Sequence, residues 1–257
     1  MVRNFSSPRS ILITGASSGI GAALAIGYAG PGIFLALAGR NAERLEAVAR
    51  QCRERGAEAS IEIIEVVDRA AMAAWIDGID DAHPLDLVIA NAGISAGTAQ
   101  STDPVEKVRE IFAVNVDGLL NTIDPAIARM RPRRRGQLAL VSSIAGFRGM
   151  PRNPAYSASK AAVRSYGEGL RGFLWEDGIG VSVICPGFVF SGMTAVNTFP
   201  MPFIMGADKA AAIIRRGLAR DKARIVFPLP MYFIVWLLSV LPPAWTDPLV
   251  RQAPRDA

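Results

Sequence analysis

The chain has 257 residues, enough for one α/β domain or two small ones with a sizeable buried core. Hydrophobic residues make up 51% and charged residues 20%, a balance that excludes extensive disorder. The net charge of +5 comes with arginine clusters at residues 129–135 and 215–224. Because no aromatic residues interleave the first cluster to stack on bases, we interpret both clusters as solvated helix ends and expect no nucleic-acid partner.

Residues suited to metal binding or to disulfide bonds are scarce. Cys52 and Cys185 are too few and too far apart in the sequence for a disulfide framework or a metal site. His83 is the only histidine, which argues against a histidine-based catalytic triad or a histidine-rich metal site. Residues 1–10 contain no apolar signal-peptide core, so we expect a cytoplasmic protein without a bound metal.

A glycine-rich turn follows the first apolar segment. Residues 11–14 are typical of a short buried strand, residues 15–21 of a turn, and the alanine-rich residues 22–26 of a helix. Glycines let the backbone approach a ligand closely, and the N-terminus of a helix favours an anion. A turn without a ligand is the alternative, but a position between the first strand and the first helix favours a phosphate cradle. We expect this cradle to consist of Gly15, Ser17, Ser18, Gly19, Ile20 and Gly21.

The end of the second predicted strand bears on the choice of cofactor. Residues 33–38 predict this strand, and Gly39 and Arg40 follow it. In a dinucleotide-binding fold, an acidic residue near this position hydrogen-bonds the 2′-hydroxyl of NAD, whereas an arginine can pair with the 2′-phosphate of NADP. We therefore expect NADP(H) to be preferred over NAD(H), although an Arg40 that simply begins a solvated helix is the alternative.

Strands and helices continue to alternate along the chain. Helical periodicity covers residues 42–55 and 70–79, and apolar strand-like segments cover residues 61–67, 85–90 and 138–141. This rhythm predicts a parallel sheet covered by helices on both faces, with ligands bound at the carboxyl ends of its strands. Because no repeat, low-complexity tract or linker divides the chain, we predict a single α/β domain with a three-layer, Rossmann-type, doubly wound parallel sheet.

A tyrosine and a lysine four residues apart are the clearest candidates for chemistry. On a helix, Tyr156 and Lys160 would lie on one face and project into the same cleft. A neighbouring ammonium group favours the phenolate, so we predict a lowered pKa for Tyr156. Ser143 follows an apolar strand upstream, where its hydroxyl can hydrogen-bond the same reacting oxygen. Taken alone, however, a tyrosine and a lysine on a solvated helix surface are the commoner arrangement, so other motifs must support this interpretation.

Several short motifs occur together in one order and register. They are the T-G-x-x-x-G-x-G pattern of residues 14–21, the N-A-G of residues 91–93, Asn115, Ser143, Tyr156 with Lys160, and the P-G of residues 186–187. Over residues 8–226 the chain therefore resembles the short-chain dehydrogenase/reductase family. The resemblance implies an NAD(P)-dependent oxidoreductase that acts on a CH–OH or C=O group.

The resemblance also implies roles for individual residues. Ser143, Tyr156 and Lys160 would be catalytic, and Asn115 would hold a proton-relay water. Tyr156 would exchange a proton with the substrate oxygen, while Lys160 would also hold the ribose hydroxyls. Many members have a threonine five residues after the proline, where this chain has a serine that keeps the hydroxyl. The residues for which the resemblance implies cofactor contacts are Asp68, Asn91, Ala92, Gly93, Tyr156, Lys160, Pro186, Gly187, Val189 and Ser191.

The expected reaction is hydride transfer between nicotinamide and a hydrophobic ketone, aldehyde or secondary alcohol. A catalytically silent NADP(H)-binding sensor or scaffold is the alternative, against which the proton-transfer residues argue. Residues 190–205, which include Pro200 and Pro202, predict either a mobile lid or a packed loop. The substrate pocket would be lined by Ile94, Ser95, Ile144, Phe147, Met150, Phe188 and Met193.

The C-terminal segment is unusually apolar, since residues 225–246 contain no charged residue. Between Pro230 and Pro242 lies about 16 Å of helix, too short for a hydrocarbon core of roughly 30 Å. We expect residues 227–257 to extend the catalytic domain of residues 1–226. Three placements are open: packed on the domain, at the subunit interface of a homodimer or homotetramer, or on a membrane surface through residues 225–246, which would make the protein peripheral to a membrane.

Overall fold

A computed structural model describes residues 7–95, 105–195 and 200–251 of the protein. In these residues, seven parallel strands form one sheet in the order β3-β2-β1-β4-β5-β6-β7. The strands are β1 (Ser10–Thr14), β2 (Phe34–Gly39), β3 (Glu58–Ile63), β4 (Leu87–Ala90), β5 (Gly136–Val141), β6 (Ile179–Pro186) and β7 (Arg224–Phe227). Strand order runs outward from β1 in both directions, so it reverses between β1 and β4.

Helices connect successive strands, because parallel strands require crossover connections. The helices are α1 (Gly19–Tyr28), α2 (Ala42–Glu54), α3 (Arg69–Ala82), α4 (Val105–Phe112), α5 (Gly118–Arg133), α6 (Pro154–Phe173), α7 (Gly192–Ala195), α8 (Ala207–Ala219), α9 (Leu229–Val240) and α10 (Pro243–Arg251). A π-helical turn, Ala113–Asp117, joins α4 to α5, and a 3-10 turn, Ile144–Gly146, follows β5. Within the described ranges, every helix is too short or too polar to cross a membrane.

The sheet separates two apolar cores. Successive side chains of a strand point to opposite faces of a sheet. Ile11 and Ile13 of β1 therefore enter the core formed with α1, α2 and α8, whereas Leu12 enters the core formed with α3, α5 and α6. Helices thus cover both faces, and the inner strands are buried throughout. The predicted three-layer, doubly wound α/β fold with a single domain is confirmed.

The third strand lies earlier in the chain than predicted. Residues 61–67 were expected to form it, but β3 pairs with β2 from Phe34 opposite Glu58 to Gly39 opposite Ile63. Because β3 is an edge strand, its first and last residues, Glu58 and Ile63, are exposed. A prediction from apolar residues alone therefore placed the ends of this strand wrongly. The following helix, predicted for residues 70–79, is longer at both ends.

The first arginine cluster pairs with carboxylates. Arg133 of α5 donates to Asp80 of α3 at 2.5 and 2.8 Å, and Arg129 lies 3.3 Å from the same carboxylate. Arg135 pairs with Asp86 at 2.8 Å. The interpretation of this cluster as a solvated helix end agrees with the structure, since residues 131–135 are exposed at the end of α5. The ion pairs also join α5 and the loop after it to neighbouring segments.

Candidate active site

Four loops meet at the carboxyl edge of the sheet, around the reversal between β1 and β4. They follow β1 (residues 15–18), β4 (residues 91–95), β5 (residues 142–143) and β6 (residues 187–191). Open α/β sheets bind ligands in the crevice formed at such a point. The predicted site residues lie on these loops and on the helices that follow them.

The glycine-rich turn after β1 is too tightly packed for side chains at its glycines. Gly15 and Gly19 have φ angles of +66° and +55°, which L-residues rarely adopt. A Cβ built on Gly21 would lie 2.3 Å from Gly15 O and 2.6 Å from Asn91 Nδ2. The tight turn directs the N-terminus of α1 into the crevice, where backbone N–H groups favour an anion. The turn therefore fits the pyrophosphate of a dinucleotide.

The segment after β4 fastens this turn to the sheet. The Asn91 side chain donates to Thr14 O at 3.0 Å and to Gly15 O at 3.1 Å. The Thr14 hydroxyl in turn accepts the backbone N–H groups of Asn91 and Ala92 at 3.2 and 3.3 Å. Asn91 and Ala92 thus border the cradle by holding its backbone. Thr14 was not predicted as a site residue, because only the tertiary structure shows what its hydroxyl accepts.

The residues predicted for the adenosine end lie beyond β2 and β3. Arg40 is exposed, and in the described part of the chain no carboxylate pairs with it. A Cβ on the preceding Gly39 would lie 3.3 Å from Ser17 Cβ, so the end of β2 is adjacent to the glycine-rich turn. Asp68 caps α3 by accepting the N–H of Ala71 at 3.0 Å. Arg40 is therefore positioned beside the cradle with its guanidinium group available.

Tyr156, Lys160 and Ser143 meet at the base of the crevice. Tyr156 and Lys160 lie one turn apart on α6, and the phenol lies beside the hydroxyl of Ser143, which follows β5. Lys160 Nζ lies 5.7 Å from the centroid of the Tyr156 ring and donates to Val141 O at 2.9 Å. Ser142, by contrast, donates to Lys160 O at 2.7 Å and fastens the backbone of α6. Of the two adjacent serines, the structure places Ser143 at the phenol.

Asn115 is buried in the π-helical turn between α4 and α5. π-helical turns often occur at functional sites. The Asn115 side chain accepts from Ile94 N at 2.8 Å and donates to Ile94 O and to Ser159 Oγ, both at 3.0 Å. A Cβ on Gly93 would lie 3.1 Å from Asn115 Oδ1 and 3.2 Å from Lys160 Nζ. Asn115 thus joins the loop after β4 to α6 beside the lysine. Ser159 is a contributor that the sequence analysis missed.

Loss of solvation is the largest influence on the pKa values of Tyr156 and Lys160. Loss of solvation raises the pKa of Tyr156 above its ordinary value of 10, and the neighbouring Ser143 hydroxyl acts in the opposite direction. Burial also lowers the pKa of Lys160 to about 8. The prediction of a lowered pKa for Tyr156 is therefore wrong, because loss of solvation penalises the phenolate. At neutral pH Tyr156 keeps its proton and Lys160 is mostly charged.

The end of β6 contacts the C-terminal helices. Gly187 N donates to Phe227 O at 2.7 Å, directly after Pro186. A Cβ on Gly187 would lie 2.9 Å from Pro228 Cδ and 3.0 Å from Met231 Sδ. The first turn of α9 therefore forms a wall of the crevice. This contact agrees with one of the three placements expected for the C-terminal segment, packing on the domain.

The chain beyond Gly187 returns to the glycine-rich turn. Ser191 lies against it, since a Cβ on Gly19 would be 2.9 Å from Ser191 Cβ. The Ser191 N–H donates to Thr194 Oγ1 at 3.0 Å, and the same hydroxyl donates to the carbonyl of the buried Val189 at 2.9 Å. Thr194 was not predicted as a site residue, yet its hydroxyl holds Val189 and Ser191 in place beside the cradle.

Comparison with known proteins decides the family. A sequence model described as short chain dehydrogenase matches residues 9–199. The chain belongs to the short-chain dehydrogenase family. It is an oxidoreductase that acts on a CH–OH or C=O group.

Relatives of this dehydrogenase match over most of their lengths. An uncharacterized oxidoreductase of Myxococcus xanthus is 38% identical over 245 residues, which cover 95% of this chain and 97% of the relative. An 11-beta-hydroxysteroid dehydrogenase-like protein of Arabidopsis thaliana is 30% identical over 246 residues, covering 90% of this chain and 80% of the relative.

Solved structures with low sequence identity share the fold of this dehydrogenase. A short chain dehydrogenase/reductase from Burkholderia phymatum, in complex with NAD, aligns with a TM-score of 0.84 over 99% of both chains at 24% identity. Levodione reductase aligns with a TM-score of 0.78 at 22% identity, covering 88% of this chain and 98% of that chain.

The predicted lining of the substrate side is placed in part. Phe147 of this dehydrogenase contacts Tyr232 of α9 edge-on, with the ring centroids 5.2 Å apart. The loop of residues 190–205 is closed at its base, where Phe190 N donates to Met205 O at 3.0 Å. The Met193 side chain and residues 196–199 lie outside the described residues, so the predicted lid stays a prediction. Tyr232 was not among the predicted lining residues, because no local motif marks it.

Proposed function

We propose that this dehydrogenase is an NADPH-dependent reductase of hydrophobic ketones or aldehydes. The observation that carries the proposal is the half-buried Tyr156, whose phenol lies beside Ser143 and one helical turn from the buried Lys160. Because burial raises the pKa of this phenol, Tyr156 holds a proton at neutral pH. A protonated phenol can act as an acid, which is the role that carbonyl reduction requires.

The side chains divide the work at the reacting oxygen. The dinucleotide, when bound, would supply the hydride to the carbonyl carbon. Tyr156 Oη would donate its proton to the oxygen, and Ser143 Oγ would hold that oxygen in position. The Lys160 ammonium would favour the phenolate that remains and donate to the ribose hydroxyls. Asn115, beside Lys160, would hold a water through which the phenol regains its proton.

The proposed preference for NADPH rests on Arg40. An exposed guanidinium group beside the glycine-rich turn suits the 2′-phosphate of NADP, and the two residues directly after β2, Arg40 and Asn41, include no acidic side chain to select NAD. The remaining dinucleotide contacts would come from the cradle, the loop after β4 and the loop after β6. Asp68, at the N-terminus of α3, would border the adenine.

The proposed substrate is bulky and apolar. Ile144, Phe147, Met231 and Tyr232 bring apolar surface from the turn after β5 and from α9. The Arabidopsis relative, named as 11-beta-hydroxysteroid dehydrogenase-like, supports a substrate of lipid or steroid character. A pocket walled by these side chains would select substrates by size and apolarity.

The test follows NADPH oxidation over a panel of ketones and aldehydes graded in size and apolarity. Tyr156→Phe should lose about 10²–10⁴-fold in turnover while binding NADPH as tightly as the wild type. Tyr166→Phe, an exposed tyrosine on the same helix, is the matched control and should be fully active. Full activity of Tyr156→Phe would overturn the proposed acid. Tight NADPH binding without turnover of any compound by the wild type would favour the sensor.

The cofactor preference is tested with Arg40→Asp. Removing the charge pair with the 2′-phosphate should weaken NADPH binding by about ten- to a hundredfold, because hydrogen bonds to charged groups contribute about 1.5–3 kcal/mol. NADH binding should be unchanged or tighter. Arg50→Asp, on the exposed face of α2, is the control. If both dinucleotides weaken equally, Arg40 does not read the 2′-phosphate.

A further inference from the structure

Helix α9 exposes apolar side chains where surface helices of globular proteins carry charged ones. Its buried side is centred on Val235, with Met231 and Tyr232 half-buried beside it. At about 100° per residue, the exposed residues cover an arc of roughly 160° on the opposite side. Each of the large side chains among them is 43–59% exposed. These exposed residues are Leu229, Pro230, Phe233, Ile234, Trp236, Leu237 and Val240.

Helix α10 follows directly and exposes further apolar side chains, since Trp245 is 70% and Leu249 65% exposed. At roughly 100 Å² each, the eight large side chains of the two helices together expose on the order of 800 Å². The largest apolar patch on a typical monomer covers about 300–600 Å². We call the exposed apolar residues of α9 and α10 the C-terminal apolar face. A face of this size needs a partner.

A basic cleft lies beside this face. The cleft has a volume of about 550 Å³, and its lining joins Leu229 of α9 to Arg216, Arg220 and Lys222. These three cations are exposed, and in the described ranges none of them pairs with a carboxylate. A fourth cation of the cleft, Arg224, is paired with Glu168, a carboxylate that it shares with Arg164. The cleft therefore offers three positive charges next to the apolar face.

We propose that the C-terminal apolar face docks on the surface of an anionic lipid bilayer, with the basic cleft facing lipid headgroups. Amphipathic surfaces of this kind insert aromatic and aliphatic side chains at the acyl boundary, while basic residues attract anionic headgroups. Trp236 and Trp245 suit that boundary, where one end of an indole is apolar and the other wet. Helix α9, about 18 Å long, would lie in the surface plane.

A second copy of this chain fits the same face less well. A two-fold interface brings a surface patch against itself, so the flanking cations of two copies would approach one another. Like charges brought together at an interface oppose association. The single acidic residue of α10, Asp247, is already paired with Arg148 at 2.7 Å and cannot neutralise them. Charge complementarity therefore selects an anionic lipid surface.

The basic cleft beside the docked face also reaches the crevice side of α9, since Tyr232 is part of its lining. The side of α9 opposite the apolar face carries Met231, which approaches Gly187, and Tyr232, which contacts Phe147. An apolar substrate dissolved in the bilayer would then enter from the lipid side. This consequence rests on the proposed reductase function, whereas membrane docking does not.

The experiment measures co-sedimentation of the full chain with two kinds of vesicle, phosphatidylcholine alone and phosphatidylcholine mixed with phosphatidylglycerol. The wild type should bind the mixed vesicles, and added salt should weaken this binding. Phe233→Ser/Leu237→Ser should weaken binding at least about tenfold, because two large apolar side chains no longer enter the bilayer. Arg220→Gln/Lys222→Gln should weaken binding about tenfold or more on mixed vesicles alone.

Phe173→Ser is the matched control, since Phe173 is 73% exposed but lies on α6. It should bind vesicles like the wild type, and NADPH binding by every variant would show that each is folded. A wild type that stays in the supernatant with mixed vesicles would overturn the proposal, as would an equal loss in Phe173→Ser. A dimer that only Phe233→Ser/Leu237→Ser dissociates, without vesicle binding, would assign the face to a second copy. Vesicle binding without turnover would refute the reductase alone.

Discussion

Replacement of Gly21 by alanine tests whether the glycine-rich turn is as tightly packed as the structure indicates. The added Cβ would lie 2.3 Å from the carbonyl oxygen of Gly15 and 2.6 Å from Asn91 Nδ2. Because the first neighbour is backbone, the clash is relieved only by moving α1 away from the end of β1. Overpacking of this kind costs typically about 1–3 kcal/mol, and we expect the upper end here.

Two measurements follow from this clash in Gly21→Ala. A loss of about 3 kcal/mol in the free energy of unfolding corresponds to a fall of about 6–12 °C in Tm for a chain of this size. Displacement of α1 also moves the N–H groups that would hold the pyrophosphate, so NADPH binding should weaken by about a hundredfold. Fluorescence titration with NADPH and thermal unfolding report the two effects separately.

The matched control is Gly78→Ala in the middle of α3. A Cβ there would meet nothing within 4 Å, so alanine should raise the free energy of unfolding by about 0.5–1 kcal/mol through its helix propensity. NADPH binding should be unchanged. A Gly21→Ala protein that melts and binds NADPH like the wild type would refute the packing argument.

Two further predictions concern buried charges. Burial by itself would raise the pKa of Asp80, but hydrogen bonds from Arg133 and a backbone N–H hold this pKa below 3.8. The carboxylate therefore stabilises the fold above pH 3.8. This stabilisation is lost as the pH falls through the lowered pKa. In urea unfolding, Asp80→Asn should lower the free energy of unfolding by about 1.5–3 kcal/mol at pH 7 and by less in acid. Asp77→Asn, at a more exposed carboxylate, should change it little. Burial lowers the pKa of Lys160 from 10.5 in the unfolded chain to about 8 in the folded protein. Between these two pH values, Lys160 binds more protons in the unfolded chain than in the folded protein. The free energy of unfolding therefore rises with pH across this window. Lys160→Met should therefore be more stable than the wild type at pH 7 but not at pH 10, and it should lose turnover. A gain in the free energy of unfolding that is the same at both pH values would contradict the burial argument.

The periodicity of the sequence was sufficient for the fold because most strands of a parallel sheet are buried on both faces. Continuous apolar runs therefore predicted β1, β2, β4 and β5 close to their observed places. Apolar runs did not predict the bounds of β3, because this edge strand contains the exposed residues Glu58 and Glu62. Its ends are fixed only by backbone pairing with β2. An apolar count cannot locate a strand that is solvated on one side.

The sequence by itself determined which residue types lie at the carboxyl edge of the sheet. Tyr156, Lys160, Ser143 and the glycines were found because a helical spacing and a strand–turn–helix pattern are local features. Their roles, the subunit number and the cytoplasmic location stay predictions. The C-terminal segment was recognised as unusual from its composition, although its place was left open.

Only the tertiary structure decided what surrounds these groups. In the folded chain, loss of solvation raises the pKa of Tyr156, although the sequence had suggested a lowered pKa from the neighbouring lysine. The tertiary structure also brought Met231 of α9 against Gly187 and turned the other side of the same helix outward. Desolvation and long-range contacts depend on how distant segments pack together, and a pattern read along the chain contains no measure of that packing.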